Sequence, residues 1–468
     1  MVWESPFYKF RVPKNENPES GELTELILDV TGSAPPFTDV KDTMKGVFEK
    51  LLAEEGKEIT DILDFGAAKL RNTLYFLGKG KRVCAVEFEK LSQTSPDAKS
   101  ILAECQKNRN FQNLLFPNPF INHKRQFELV LLINVLPVMP VFAERFLVLQ
   151  VLYKKVKENK YVLWYAQKEG TDYKTIREGG QNRLGDGIWM GTNRRYKTFF
   201  KYNEVEDVDE MFSLNGFKFL KKFSAPGNDV RLYQKTEHNI FENVVNPEDI
   251  DECLKTDAEI EEPSVTAPKN VKKKNGAKEI VPNPSKLSIE NLYRKALEQT
   301  NTGTAYAEKY HRIASHIIYR VFRGSLSNMD IKQEMDGGRK IIDTVYSNTA
   351  DKGFFANLST TFQIKCPYII VEAKNYSGDP GNEEFDQLAG RLKNEVGQFG
   401  ILVCRKVKDV KAAMDRCQGY LSDNGKHVIF LTDEDLINLL ELYQDGDVKG
   451  INDFMDLKLR PLVFRAKK

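Results

Sequence analysis

Histidine and cysteine are scarce in this sequence, five and six among 468 residues. The cysteines (Cys84, Cys105, Cys253, Cys366, Cys404 and Cys417) are scattered and none is in C-x-x-C spacing. Neither a zinc site nor a disulfide framework is indicated, and free thiols suit a reducing cytoplasm. His311 and His316 stand at i and i+5, off one helical face, which excludes a metal pair. Net charge is nearly absent: 69 Lys+Arg against 67 Asp+Glu leave +2, so any nucleic-acid surface has to be a local basic patch. A long apolar run is missing as well. The most apolar region, Phe127–Tyr153, is broken by Asn134, Pro137, Pro140, Glu144 and Arg145, so it reads as core and not as a membrane span. Met1-Val-Trp-Glu-Ser-Pro lacks a basic-then-apolar signal pattern, and the expected location is cytoplasmic.

What is present is an ordinary globular composition, 41% hydrophobic and 29% charged, in a chain too long for one core. Two domains are expected, 1–237 and 288–468. The intervening residues 238–287 change character. An acidic patch (Glu248, Asp249, Asp251, Glu252, Asp257, Glu259, Glu261, Glu262) precedes Pro263, Pro268, the basic run Lys272–Lys274, Pro282 and Pro284. This reads as a charged flexible linker, with a short helix over Pro247–Leu254.

In the first domain a strand-like run, Leu23–Val30, is followed by a helix over Asp39–Glu55, with Val40, Met44, Val47, Phe48 and Leu51 at helical spacing. Next comes Thr60-Asp-Ile-Leu-Asp64-Phe-Gly66-Ala67-Ala68, an apolar strand running into a small-residue turn and a helix. A second strand, Arg82–Glu87, ends in an acid about twenty residues on. A small turn lets a ligand approach backbone amides, and such an acid can hold ribose hydroxyls. The pattern resembles motifs I and II of class I S-adenosylmethionine-dependent methyltransferases. Asp64 and Gly66 match the D-x-G of motif I, Ala67 continues the turn, and Glu87 matches the ribose-binding acid. Where the family repeats glycine, this chain has Ala68 and Leu70. An NAD-type three-glycine fingerprint is absent, and a ligand-free strand–turn–helix stays open.

Phe127–Pro137 resembles the fourth strand of that family with its motif IV loop, which adds Asn134 to the expected cofactor site. A helix over Val141–Asn159, a strand over Lys160–Tyr165 and closing antiparallel strands within 216–235 extend the resemblance to 22–236. Ile133-Asn134-Val-Leu-Pro137 is not the N-P-P-Y of amino-methylating DNA enzymes, and Asn118-Pro-Phe120 lies too early. No Pro-Cys supplies a C5-cytosine nucleophile. Methylation of DNA bases is therefore not expected, and this domain is expected to control or target its neighbour. The glycine- and arginine-rich segment 179–197, with Trp189, Arg194, Arg195 and Tyr196, fits a nucleotide contact or a solvated insertion packed over Trp189.

The second domain opens with helices over Ile289–Gln299 and Tyr306–Phe322. Then Gly338-Arg-Lys-Ile-Ile-Asp343-Thr-Val-Tyr and Pro367-Tyr-Ile-Ile-Val-Glu372-Ala-Lys374 read as strands. Alternation puts Glu372 and Lys374 on one face, and pairing of the strands would bring Asp343 beside Glu372. Two carboxylates hold a hard divalent cation, and a lysine orients the attacking water. This stretch resembles the PD-(D/E)xK nuclease superfamily, Mrr-like enzymes of the restriction-endonuclease-like fold, with Asp343 as first acid and Glu372-Ala-Lys374 as the (D/E)xK element. Thr and Ile, not Pro, flank Asp343, and the gap to Glu372 is long. The helix Phe385–Leu392 carrying Gln387, and the strand Gly400–Arg405, follow in the family's order.

The resemblance implies a Mg²⁺-dependent DNA endonuclease with Asp343, Glu372, Lys374, Gln387 and the helix-borne Glu308 as catalytic residues. Asp343, Glu372 and Glu308 would be the metal ligands, and S-adenosylmethionine the ligand of the first domain. Double-stranded DNA, a homodimer or defence-system proteins are the implied partners, in prokaryotic defence against foreign DNA. Two alternatives stand: a methyltransferase whose C-terminal domain binds nucleic acid, and a non-catalytic sensor or assembly subunit. The expected fold class is α/β throughout.

Overall fold

The computed structural model describes residues 6–13, 23–33, 39–56, 59–89, 96–178, 182–191, 195–242, 244, 288–335, 337 and 340–464. The chain divides into two compact units, Met1–Ser288 and Ile289–Lys468. Most of the expected linker, 245–287, including its acidic patch, short helix and lysine run, lies outside the described residues. Ile240, Phe241 and Val244 are buried, so the packed chain of the first unit runs past 237.

In chain order the first unit has strands β1 (Phe7–Pro13), β2 (Leu23–Asp29), β3 (Asp61–Phe65), β4 (Arg82–Phe88), β5 (Phe111–Phe116), β6 (Phe127–Ile133), β7 (Val156–Gln167), β8 (Arg183–Leu184), β9 (Gly187–Met190), β10 (Thr198–Phe200), β11 (Phe217–Lys222) and β12 (Asn228–Lys235). Seven of them form one sheet in the order β11-β12-β7-β6-β3-β4-β5. The strands β5, β4, β3, β6 and β7 run parallel, whereas β12 is antiparallel to both β7 and β11. Strands covered on both faces carry this order: every residue of β3 is buried, Asp61 and Asp64 included. The helix Asp42–Glu55 lays Met44, Val47, Phe48 and Leu51 against Ile62, Phe76 and Leu129 in the main core. This is a doubly wound, Rossmann-like α/β fold.

The chain winds from β3 toward β5 and then crosses back to place β6 on the other side of β3. That reversal opens a crevice at the carboxyl ends of β3 and β6. A hairpin, β1-β2, and an inserted three-stranded sheet, β10-β9-β8, complete the unit. They join through Asp29 N–H to the Lys197 carbonyl (2.9 Å) and Lys197 N–H to the Ile27 carbonyl (2.9 Å).

One boundary differs from the sequence reading. The helix expected to reach Asn159 ends at Lys155, and Val156–Asn159 belong to β7. Val156 pairs with Phe127, and the Lys155 ammonium donates to the carbonyls of Ile121 (3.0 Å) and His123, which ends the helical course there.

The second unit has β13 (Leu326–Met335), β14 (Lys340–Asn348), β15 (Tyr368–Lys374), β16 (Phe399–Cys404) and β17 (His427–Thr432), paired in sequence order. The first two pairings are antiparallel and the last two parallel. The helix Ala307–Phe322 buries Tyr310, Ile313, Ala314, Ile317, Ile318 and Val321, a stripe at helical spacing. Among the described residues no helix is long and apolar enough to cross a membrane.

Candidate functional site

The turn after β3 is built from its own hydrogen bonds. Gly66 has φ +71°, and the N–H groups of Gly66 and Ala67 both donate to the Val86 carbonyl of β4 (3.0 and 3.1 Å). Ala68 (φ +47°) and Leu70 (φ +65°) adopt the left-handed conformation at positions where the resembled family has glycine. The turn thus keeps a glycine-like path with side chains on it, at a cost of about 1 kcal/mol or more per residue. The amides of Gly66 and Ala67 are therefore spent on β4 and not offered to a ligand, contrary to the sequence expectation.

Asp64 is also placed differently from the expectation. It is buried below the turn and absent from the cavity wall. Its Oδ2 accepts from the Thr73 hydroxyl (2.7 Å), fastening β3 to the start of the helix Arg71–Gly78. Burial pushes the Asp64 carboxyl up to about 6, opposed by hydrogen bonds from Thr73 and Asn72. Its role is to position the turn.

Glu87 does reach the site. Its Oε2 accepts from Ala68 N–H (2.8 Å) and its Oε1 from Phe88 N–H (2.8 Å), which aims the carboxylate at the turn. Burial raises its pKa to about 7 against these two bonds. Across the crevice Asn134 sits at φ +55°, donates its N–H to the Tyr165 carbonyl (2.8 Å) and accepts at Oδ1 from Gln167 N–H (2.9 Å).

Gly66, Ala67, Glu87 and Asn134 share the wall of one cavity of about 510 Å³, within the size range of small-ligand sites. The main sheet also contributes Phe88, Phe116 and Tyr165 and the helix Arg71–Gly78 contributes Asn72, while the hairpin and inserted sheet contribute Tyr8, Met190, Phe199 and Phe200. Sequence reading missed these, because only folding brings residue 8 to residue 200. Asn72 Oδ1 is a buried acceptor without a partner. The set suits S-adenosylmethionine: a carboxylate for ribose, aromatic faces for adenine, and an unsatisfied acceptor on the wall.

Within the segment 179–197, 179–181 and 192–194 lie outside the described residues. Trp189 packs half-buried against Tyr8, Phe10, Leu28 and Phe199, so this tryptophan supports the inserted sheet.

In the second unit β14 and β15 pair with Thr344 opposite Val371, which sets Asp343 against Glu372. Asp343 Oδ2 accepts from Ala373 N–H (3.1 Å), and Glu372 Oε1 lies 3.4 Å from Asp343 N–H. The Lys374 ammonium donates to Gln387 Oε1 (2.5 Å) and stands 3.9 Å from Glu372 Oε2. Asp343, Glu372, Lys374 and Gln387 therefore converge.

Glu308 does not join them. It pairs with Arg312 (2.8 Å) and Lys332 (3.0 Å); burial works to raise its carboxyl, and Lys332 and Arg312 together pull it below its usual value. Glu372 is fully buried and forms an ion pair with Arg391, which also donates to the Ile341 carbonyl. Among the described residues no group of three or more His, Cys, Asp or Glu is arranged to hold a metal ion. The expected Mg²⁺ triad of Asp343, Glu372 and Glu308 does not fit: two carboxylates remain, and a guanidinium occupies one of them.

No family model matches the chain, and no curated protein is significantly similar to it. Solved structures similar to part of it include 1,6-didemethyltoxoflavin-N1-methyltransferase from Burkholderia thailandensis (18% identical over 42% of this chain and 79% of that one, TM-score 0.31). Another is an S-adenosylmethionine-dependent methyltransferase from Methanosarcina mazei (13%, 43% and 100%, TM-score 0.34). A third is magnesium protoporphyrin IX methyltransferase from Synechocystis PCC 6803 (12%, 44% and 94%, TM-score 0.33). The fold assignment of the first unit rests on its sheet order and crevice. No family model or curated relative supports the nuclease resemblance of the second unit.

Proposed function

We propose that the chain is an S-adenosylmethionine-dependent methyltransferase whose cofactor and methyl acceptor share the crevice of the first unit. One observation carries this reading: Glu87, aimed by two backbone N–H groups, opens on the same cavity as the Gly66 turn and Asn134. There Glu87 would hold the ribose hydroxyls and Phe88 the adenine ring, while Asn72 Oδ1 would accept an N–H of the ligand. The bound cofactor supplies an electrophilic methyl group on a sulfonium sulfur. Tyrosine, phenylalanine and methionine walls keep water away from the reacting atoms and hold the acceptor in line. The test is calorimetry of the full chain with S-adenosylmethionine and S-adenosylhomocysteine. Binding near one equivalent is expected, and no heat with either ligand would sink the reading.

A second reading, phosphodiester hydrolysis on double-stranded DNA, is favoured by the convergence of Asp343, Glu372, Lys374 and Gln387. Because Arg391 stands on Glu372, no step through magnesium is drawn. A unit that grips nucleic acid without cutting it uses the same basic groups. Plasmid cleavage with Mg²⁺ and with EDTA separates cutting from binding; cleavage of both strands would call for two copies, since one such site cuts one strand. A place in prokaryotic defence belongs to this second reading.

A further inference from the structure

We propose that Tyr8 and Glu144 form the acceptor subsite of the cavity, where they take up the proton of a weakly acidic aromatic hydroxyl as its oxygen is methylated. The proposal rests on the methyltransferase reading of the first unit. Tyr8, on β1, lines the cavity. Its phenol donates to Glu144 Oε2 at 2.8 Å, a buried bond between residues 136 positions apart. Glu144 is fully buried in the first turn of the helix Phe142–Lys155, and its Oε1 has no partner.

The surroundings leave this carboxyl uncompensated. Among the described residues the charged or titratable groups facing it are Tyr8 from β1 and Arg145 from its own helix. Arg145 is committed elsewhere: it binds both Asp186 oxygens (2.6 and 2.9 Å) and the Met139 carbonyl (3.1 and 2.8 Å). A buried carboxyl without a counter-ion is a poor way to pin a hairpin, because a glutamine would accept the same phenol bond without a charge to desolvate. As a proton acceptor it is well suited. Burial pushes Glu144 up to about 8, opposed by the Tyr8 bond and Arg145, so it exchanges its proton close to neutrality.

The balance of the step is simple. The acceptor oxygen forms its bond to the methyl carbon, the carbon–sulfur bond breaks, and its electron pair stays on sulfur. The acceptor proton passes to Tyr8 Oη as the Tyr8 proton passes to Glu144 Oε2. Tyr165, Tyr173, Phe199 and Phe200 on the same wall select a planar aromatic ring for the acceptor.

The experiment uses the full chain with S-adenosylhomocysteine present and two fluorescent probes, 2-naphthol and its hydroxyl-free analogue naphthalene, at pH 6 and pH 8.5. The wild type should prefer 2-naphthol by about ten-fold at the higher pH, the upper end of what a hydrogen bond to the Tyr8 oxygen contributes when Glu144 is ionised behind it. That preference should shrink at pH 6, where Glu144 is protonated. Tyr8→Phe should abolish the preference, and Glu144→Gln, which keeps shape and hydrogen bond, should abolish its pH dependence. Thermal melts identify any variant that fails to fold, and the other then carries the test. Equal affinity for both probes, or a preference indifferent to both substitutions, would overturn the proposal and leave the pair as a structural pin. Absence of S-adenosylhomocysteine binding would defeat the methyltransferase reading separately, since the probe comparison reads the Tyr8–Glu144 pair by itself.

Discussion

Val135 Cγ2 stands 2.6 Å from where a Cβ on Gly66 would sit, so the turns after β3 and β6 touch across the crevice. Gly66 is required by its neighbour and by its φ of +71°, before any ligand is considered. The Gly66→Ala variant should lose about 1–2 kcal/mol from backbone strain alone, and more from the clash. Chemical denaturation of Gly66→Ala with and without Val135→Ala reads the contact. Partial recovery in the double variant is expected; none would mean the strain lies elsewhere.

Glu87→Gln should weaken S-adenosylhomocysteine binding at least ten-fold and also lower the melting temperature, since its NH2 replaces one of the two oxygens that accept from Ala68 and Phe88 N–H. Thr73→Val should lower the melting temperature and leave binding unchanged. It leaves the buried Asp64 without its hydroxyl donor, at about 1–3 kcal/mol of stability, while the cavity wall stays intact. Calorimetry and melts on both variants check this division; equal binding losses would refute it.

Three buried carboxyls of the first unit have raised pKa values: Asp64 about 6, Glu87 about 7 and Glu144 about 8, each through burial. Their ordinary values are 3.8, 4.5 and 4.5. In that window the folded state binds more protons than the unfolded state, so stability falls as pH rises from about 4 to 8. Glu144→Gln should flatten the upper part of this slope. Melting temperatures across the range decide the matter, and an unaltered slope would contradict the assignment.

Arg391→Ala should cost about 3–5 kcal/mol, because it strands the fully buried Glu372 charge. Adding Glu372→Gln should restore most of that loss. If plasmid DNA is cut, Asp343→Ala and Lys374→Ala should each slow cleavage by at least ~10², at unchanged stability.

Labelled S-adenosylmethionine incubated with DNA and a Glu372→Ala variant should leave no label on bases. Asn134-Val-Leu-Pro137 lacks the residues that clasp a flipped base, and Asn134 spends its side-chain oxygen on Gln167. Label recovered on a base would be decisive against this.

Much of this protein was legible in the linear pattern. Strands β3, β4 and β6 announce themselves as apolar runs, and the register of Asp343 and Glu372 follows from alternation once β14 and β15 pair. Glu87 and Lys374 sit at strand ends and Gln387 within the helix that follows β15, where local periodicity sets side-chain direction. Other features depended on contacts distant in sequence. Asp64 went to Thr73 below the cavity and Arg391 to Glu372, because a buried polar group takes the nearest partner that folding supplies, and the partly exposed Glu308 went to Lys332. The Gly66 and Ala67 amides went to Val86 and the Ala68 amide to Glu87, since buried N–H groups must be satisfied by whatever acceptor lies beside them. The pairing of Tyr8 with Glu144 had no signal in the chain at all. It exists only because a hairpin of the first thirty residues packs beside a helix more than a hundred residues later, and long-range packing decides which side chains meet.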